Sequence, residues 1–219
     1  SNELSHSAIL TNLLNAKGKH GQKELFLKIF LNLIKDKFEK SYQKNIIENF
    51  DVKNSIAIKE KYAGKVDYEA EQGGKIDIVI YDGKNNIIIE NKIYANDQPK
   101  QLVRYNEHDK MAPIIYLTLM GNEPSRDSCG SLVSGINYVC ISYENVIKEW
   151  LELCIKEMVN RPIIRETFNQ YLYLIKSLTN QSTNNKMSTE IIKIMKTNIQ
   201  SSFEIVNNIS ALKSSLYYE

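Results

Sequence analysis

A chain of 219 residues, 42% hydrophobic and 25% charged, is long enough to bury one substantial core with a helical appendage. Its net charge of +2 does not announce a nucleic-acid binder, although a basic groove can hide inside a balanced total. No apolar run approaches the ~20 residues that span a bilayer, and Cys129, Cys140 and Cys154 form no CxxC pair, so a cytoplasmic protein with reduced thiols is expected.

Ser1-Asn2 has the look of a cloning scar, so the intact protein is allowed to extend past either end. The first predicted element is a short helix, Ser7 to Leu14, stopping near Asn15-Ala16-Lys17-Gly18. A stronger helix is predicted from about His20 to Lys40. There Leu25, Phe26, Ile29, Phe30, Leu33, Ile34 and Phe38 recur at helical spacing and make a wide apolar stripe. Glu24 borders that stripe, since Leu27 and Leu31 lie on its side; an acid in a first turn also favours the helix dipole. Asn54 to Ala70 reads as one or two strands bent at Ala63-Gly64.

The stretch from Gly73 to Tyr105 organises the rest. Ile76, Ile78 and Ile80 alternate with Asp77, Val79 and Tyr81 at the two-residue period of a strand, and Ile87 to Ile93 supplies a second. Asp82-Gly83-Lys84-Asn85 between them has hairpin chemistry. Centring the turn between Gly83 and Lys84 sets Asp77 opposite Glu90, with Cβ atoms roughly 4.5–5.5 Å apart. Lys92 then shares that face, and Ile76, Ile78, Ile80, Ile87, Ile89 and Ile93 take the other. Two carboxylates so close repel unless a cation lies between them or one is protonated. Hard ions such as Mg²⁺ accept one or two carboxylates plus phosphate oxygens, so the pattern points to a metal site for phosphoryl chemistry. The same charges also line the wet face of ordinary hairpins; a second strand apolar on both faces up to Glu90 argues instead for burial.

Beyond the hairpin, Asn96-Asp97-Gln98-Pro99 is a helix start, and Gln101 and Tyr105 share one face of the helix that runs to about Lys110. Pro113 to Leu119 is a buried strand, parallel to Ile87–Ile93 through a right-handed crossover. Gly121 to Gly135 is a polar loop, Ile136 to Ile141 a further strand, and Tyr143 to Met158 a helix carrying Trp150. Helical pattern returns over Ile163 to Leu178 and Met187 to Leu216, around the polar linker Thr179 to Lys186. No HExxH, GxSxG or P-loop is present, and His6, His20 and His108 are scattered.

Asp77…Glu90-Asn91-Lys92 followed by Gln101-x-x-x-Tyr105, with HGQKELF upstream, resembles the core of the PD-(D/E)xK nuclease superfamily, over roughly His20 to Tyr116. The Pro that often precedes the Asp is absent, Ile76 standing there. The resemblance implies an α/β fold, a restriction-endonuclease-like αβββαβ core with a mixed central sheet plus C-terminal helices. Residues 1–160 would be the core and 161–219 a helical extension packed on it. It implies a metal-dependent deoxyribonuclease in which Asp77, Glu90 and the Asn91 carbonyl hold Mg²⁺ or Mn²⁺. Lys92 would orient or deprotonate the attacking water, Gln101 would position water or phosphate, and Glu24 would approach the metal from the first helix. Tyr105, Arg104 and His20 are the expected substrate contacts. DNA is the expected partner, with no membrane; the helical tail could support a homodimer placing two sites for cutting both strands. A competing reading is a catalytically silent DNA-binding or scaffolding module, and RNA is a third substrate class. Retention of both acids and the lysine favours an active enzyme.

Overall fold

Runs of isoleucine lay down the centre of the molecule. In the computed structural model, which describes residues 2–39 and 42–181, one five-stranded sheet holds β1 (Ile56–Tyr62), β2 (Lys75–Tyr81), β3 (Asn86–Lys92), β4 (Ile114–Thr118) and β5 (Tyr138–Ser142) in that order. The first three strands pair antiparallel, and β4 and β5 follow parallel to β3. A mixed sheet results because a tight hairpin can join β2 to β3, whereas a parallel partner needs a crossover. That crossover contains α4 (Gln101–His108). In the hairpin, Asp82 Oδ1 accepts the backbone N–H of Lys84 and of Asn85, and Gly83 takes a φ of 99°. Ile78 pairs with Ile89 and Ile80 with Ile87, the register expected from the turn.

Helices cover both faces. On one, Leu10 and Leu14 of α1 (Asn2–Leu14), Phe26 and Phe30 of α2 (Leu25–Ile34), Ile46 and Ile47 of α3 (Tyr42–Glu48) and Trp150 of α6 (Lys148–Glu157) pack with Ile78, Ile80, Ile87 and Ile89. Phe168 and Tyr171 of α7 (Pro162–Leu178) join the same layer. On the other face, Leu102 and Tyr105 of α4 and Cys129 of α5 (Arg126–Cys129) meet Val79, Ile88, Ile114 and Tyr116. Burial of side chains on both faces accounts for the nearly continuous apolar run of β3.

Several boundaries differ from expectation. The first helix begins at Asn2, five residues before Ser7. The predicted His20–Lys40 helix is confined to Leu25–Ile34 with one tight turn to Lys37, because Gly21 and Lys23 hold positive φ values of 68° and 53°. Ile76 packs with Val79, Ile88, Leu102 and Tyr105, not on the Ile78 face. The alternation of β2 breaks at Asp77, whose Oδ2 accepts the Asn91 N–H at 2.8 Å. Opposite Asp77 on β1, Glu60 takes a φ of 54° and drops out of the ladder between Lys59↔Ile78 and Lys61↔Ile76. Compactness divides the chain into Ser1–Ile175 and Lys176–Glu219. The helix starting at Pro162 therefore runs largely within the first unit, and the expected Met187–Leu216 helix lies outside the described residues. No helix among the described residues is long and apolar enough to cross a membrane.

Candidate active site

Strand pairing brings the acids together where β2 and β3 diverge. A cavity of about 690 Å³ is lined by Asp77, Glu90, Asn91 and Lys92 from the hairpin and Gln101 from α4. Glu90 is 1% exposed. Its Oε1 accepts from Gln101 Nε2 at 2.6 Å and pairs with Lys92 Nζ at 2.9 Å. Gln101 Nε2 also lies 3.1 Å from the Tyr105 hydroxyl, whose own proton goes to the Lys75 carbonyl at 2.9 Å. The i, i+4 spacing of Gln101 and Tyr105 on α4 makes that bridge.

The other oxygen, Glu90 Oε2, is buried and has no hydrogen-bond partner. A buried ionised oxygen without a donor is costly, so the group must gain a proton or a cation. Burial, then repulsion from Asp77, pushes the Glu90 carboxyl up to about 8, and Lys92 offsets only part of this. Asp77 is raised as well, first by burial, against the Asn91 N–H bond and the Lys92 charge. For Lys92, burial disfavours the cation, yet the Glu90 carboxylate outweighs it and holds the ammonium above its ordinary range.

Among the described residues, no three or more His, Cys, Asp and Glu side chains cluster into a ready-made metal cage. A hard divalent ion does not need one: Mg²⁺ keeps several waters and commonly takes one or two carboxylates. An orphaned buried carboxylate oxygen beside a second carboxylate fits that requirement.

The remaining candidates do not themselves line the cavity. Glu24 stands half-buried at the start of α2 and does not line the cavity. His20 is committed to a turn: Nε2 donates to the Asn15 carbonyl at 3.0 Å, Nδ1 accepts from the Gln22 N–H at 3.0 Å, and the ring packs on Phe26. Those two bonds fix the neutral tautomer protonated at Nε2. Arg104 is 1% exposed and braces the β1–β2 connection, donating to the Gly73 carbonyl at 2.7 Å and to Gln98 Oε1 at 3.2 Å beneath the Tyr68 ring. Tyr105 is buried under Gln101. Tyr105 and Arg104 thus hold Gln101 and Gln98, which do line the cavity, whereas Glu24 and His20, among the described residues, make no hydrogen bond or ion pair with its lining residues.

One acid at the cavity escaped the sequence reading. Glu3 lines it from α1, and its Oε1 accepts the successive N–H groups of Ile93, Tyr94 and Ala95 at 2.7, 2.8 and 2.9 Å. Burial acts against that carboxylate, but the three backbone bonds and Lys92 prevail and lower its pKa. The signal was present: Glu3, Ser7, Leu10 and Leu14 share one helical face. Starting the helix at Ser7 left it out.

Comparison with known proteins places the chain in a family. The family model described as the PD-(D/E)XK nuclease superfamily matches residues 1–173. No curated protein and no solved structure gives a match. With a five-stranded mixed sheet, flanking helices and a match over most of its length, the chain belongs to the PD-(D/E)XK nuclease superfamily.

Proposed function

We propose that the protein is a metal-dependent nuclease that hydrolyses phosphodiester bonds of DNA. The observation that carries this reading is the unpartnered Glu90 Oε2, buried beside Asp77 and Lys92 in an open cavity. Asp77, Glu90 and the Asn91 carbonyl would hold Mg²⁺ or Mn²⁺. Bound there, such an ion supplies charge that polarises a phosphate and lowers the pKa of a coordinated water.

The chain's own groups do the rest. Gln101 and Lys92 both grip Glu90 Oε1, which leaves Oε2 as the free, directed oxygen. The Asn91 N–H takes Asp77 Oδ2 and leaves Oδ1 for the cavity. Lys92, kept cationic by Glu90, donates to the phosphate and offsets the charge that builds there in the transition state. Its protonated state suits charge stabilisation better than proton abstraction. Tyr105 fixes Gln101 from below through the Lys75 carbonyl. Glu3, placed at the cavity where Glu24 was expected, supplies the outer carboxylate from the first helix.

The test is nicking of supercoiled plasmid with Mg²⁺ or Mn²⁺, wild type beside Lys92→Ala. Loss of one charge donor in such a site slows reaction on the order of 10²–10³-fold. Equal cleavage by the two proteins removes Lys92 from the mechanism, and no cleavage of DNA or RNA by the wild type removes the enzymatic reading.

A further inference from the structure

Asn91, the middle residue of Glu90-Asn91-Lys92, turns its side chain to the sheet face opposite Glu90. There it is 2% exposed, in the layer whose core is apolar. Its amide is held from two sides. Tyr143, in the wide helical turn Tyr143–Ile147 after β5, donates its hydroxyl to Asn91 Oδ1 at 2.9 Å. Asn91 Nδ2 donates to Ser7 Oγ at 3.0 Å and points at the Glu3 carbonyl at 3.4 Å, both on α1. The carbonyl can only accept, which fixes the orientation of the amide.

Two further polar residues pack against this pair. Tyr171 of α7 lies beside Tyr143 in the same layer. Tyr171 in turn lies 2.9 Å from His6 Nδ1, and the His6 ring stands edge-on to Tyr143 with centroids 5.4 Å apart. The Tyr143 proton is spent on Asn91 Oδ1, and His6 and Tyr171 share one further hydrogen bond. None of the four leaves a buried unpartnered side-chain atom.

Such a network is expensive as packing. Phenylalanine at 143 and 171 would fill the same space without burying hydroxyls. What the network touches explains it: the backbone N–H of Asn91 is the group that holds Asp77 Oδ2 at 2.8 Å. Side-chain bonds to α1 and to the Tyr143 turn fix the rotation of this peptide about the strand, and so the aim of its N–H.

We propose that the buried chain His6–Tyr171–Tyr143–Asn91 is a positioning device, which sets the metal affinity of the Asp77–Glu90 site from the opposite face of the sheet. Tyr143 is its central positioning residue and touches neither metal nor substrate. The metal part of this inference rests on the function proposed above; the positioning of Asp77 by Asn91 does not.

Two readings on the full chain test it. In Mn²⁺ titration calorimetry, Tyr143→Phe is expected to weaken binding about tenfold, at the lower end of the effect of partners that orient metal ligands. Tyr171→Phe, which packs beside Tyr143 and does not touch Asn91, is expected to weaken it less. Phe168→Leu, a core change without a polar partner, should lower the melting temperature and leave Mn²⁺ affinity unchanged. In the metal-free protein, the Asn91 backbone amide of Tyr143→Phe should exchange faster with solvent than in the wild type. Unchanged affinity together with unchanged amide exchange overturns the proposal. If the wild type binds no Mn²⁺, the metal reading falls, and the amide exchange alone decides the positioning role. Should Tyr143→Phe fail to fold, Ser7→Ala removes the acceptor of Asn91 Nδ2 and gives the same two readings.

Discussion

Glu90 and Asn91 are neighbours on one strand, and the two faces of the sheet treat them differently. Behind the sheet, Asn91 is buried with its side-chain oxygen and nitrogen both occupied. In front, Glu90 is equally buried, yet Oε1 is gripped twice and Oε2 not at all. Buried polar groups mostly find partners, and among the atoms left without one here, Glu90 Oε2 is the carboxylate oxygen. The asymmetry sets a face whose polar groups are satisfied against one with a buried oxygen left over, which is the basis of the metal site proposed above. A carboxylate pushed up to about 8 is the energetic counterpart of that vacancy in its bonding.

The contrast can be broken from the front first. The Glu90 carboxyl has an ordinary value of 4.5 and is raised by folding, so between about pH 4.5 and 8 the folded state binds more protons than the unfolded one. Stability therefore falls as pH rises through that window, opposite to the usual carboxylate case. Glu90→Gln removes the penalty. In the metal-free protein it should add roughly 2–3 kcal/mol at pH 8, after allowing for the weakened contact with Lys92, and nothing near pH 5. Urea midpoints at the two pH values decide this; a Glu90→Gln variant less stable than wild type at pH 8 would show the carboxylate to be structurally satisfied.

Arg104→Met probes whether the front face also holds a substrate contact. Removing the guanidinium leaves the Gly73 carbonyl without its donor and should cost roughly 2 kcal/mol of stability. DNA affinity, measured by anisotropy with Ca²⁺ in place of Mg²⁺, should stay near wild type. A stable variant that has lost DNA binding would instead restore Arg104 as a substrate contact.

A smaller effect sharpens the link between proton and ion. Below about pH 8 an incoming cation must displace the Glu90 proton. Mg²⁺ affinity should then rise about tenfold per pH unit from pH 6 to 8 and flatten above, one proton being released per ion. A flat affinity across that range would mean that Glu90 is already ionised without the metal.

Much of the hairpin was legible because its determinants are local. Asp82 caps the turn with its own carboxylate and Gly83 accepts the positive φ, so the pairing of Ile78 with Ile89 follows from four residues. Ile76 was misplaced because the break in alternation depends on an Asp77–Asn91 bond and on the left-handed Glu60 of another strand, which no period of two can show. Glu3 was missed for a different reason. Its helix carries no strong apolar stripe to mark where it begins, and its role depends on a backbone nest at Ile93–Ala95 that exists only after β3 is folded. His20 and Arg104 were marked by residue type and nearness to the motif, but burial and backbone partners decided their place.

A crystal soaked in Mn²⁺ tests the central claim most directly. An anomalous peak in contact with both Asp77 and Glu90 Oε2, absent from Asp77→Asn, is expected. A clear peak elsewhere, with Glu90 Oε2 still unliganded, would contradict it.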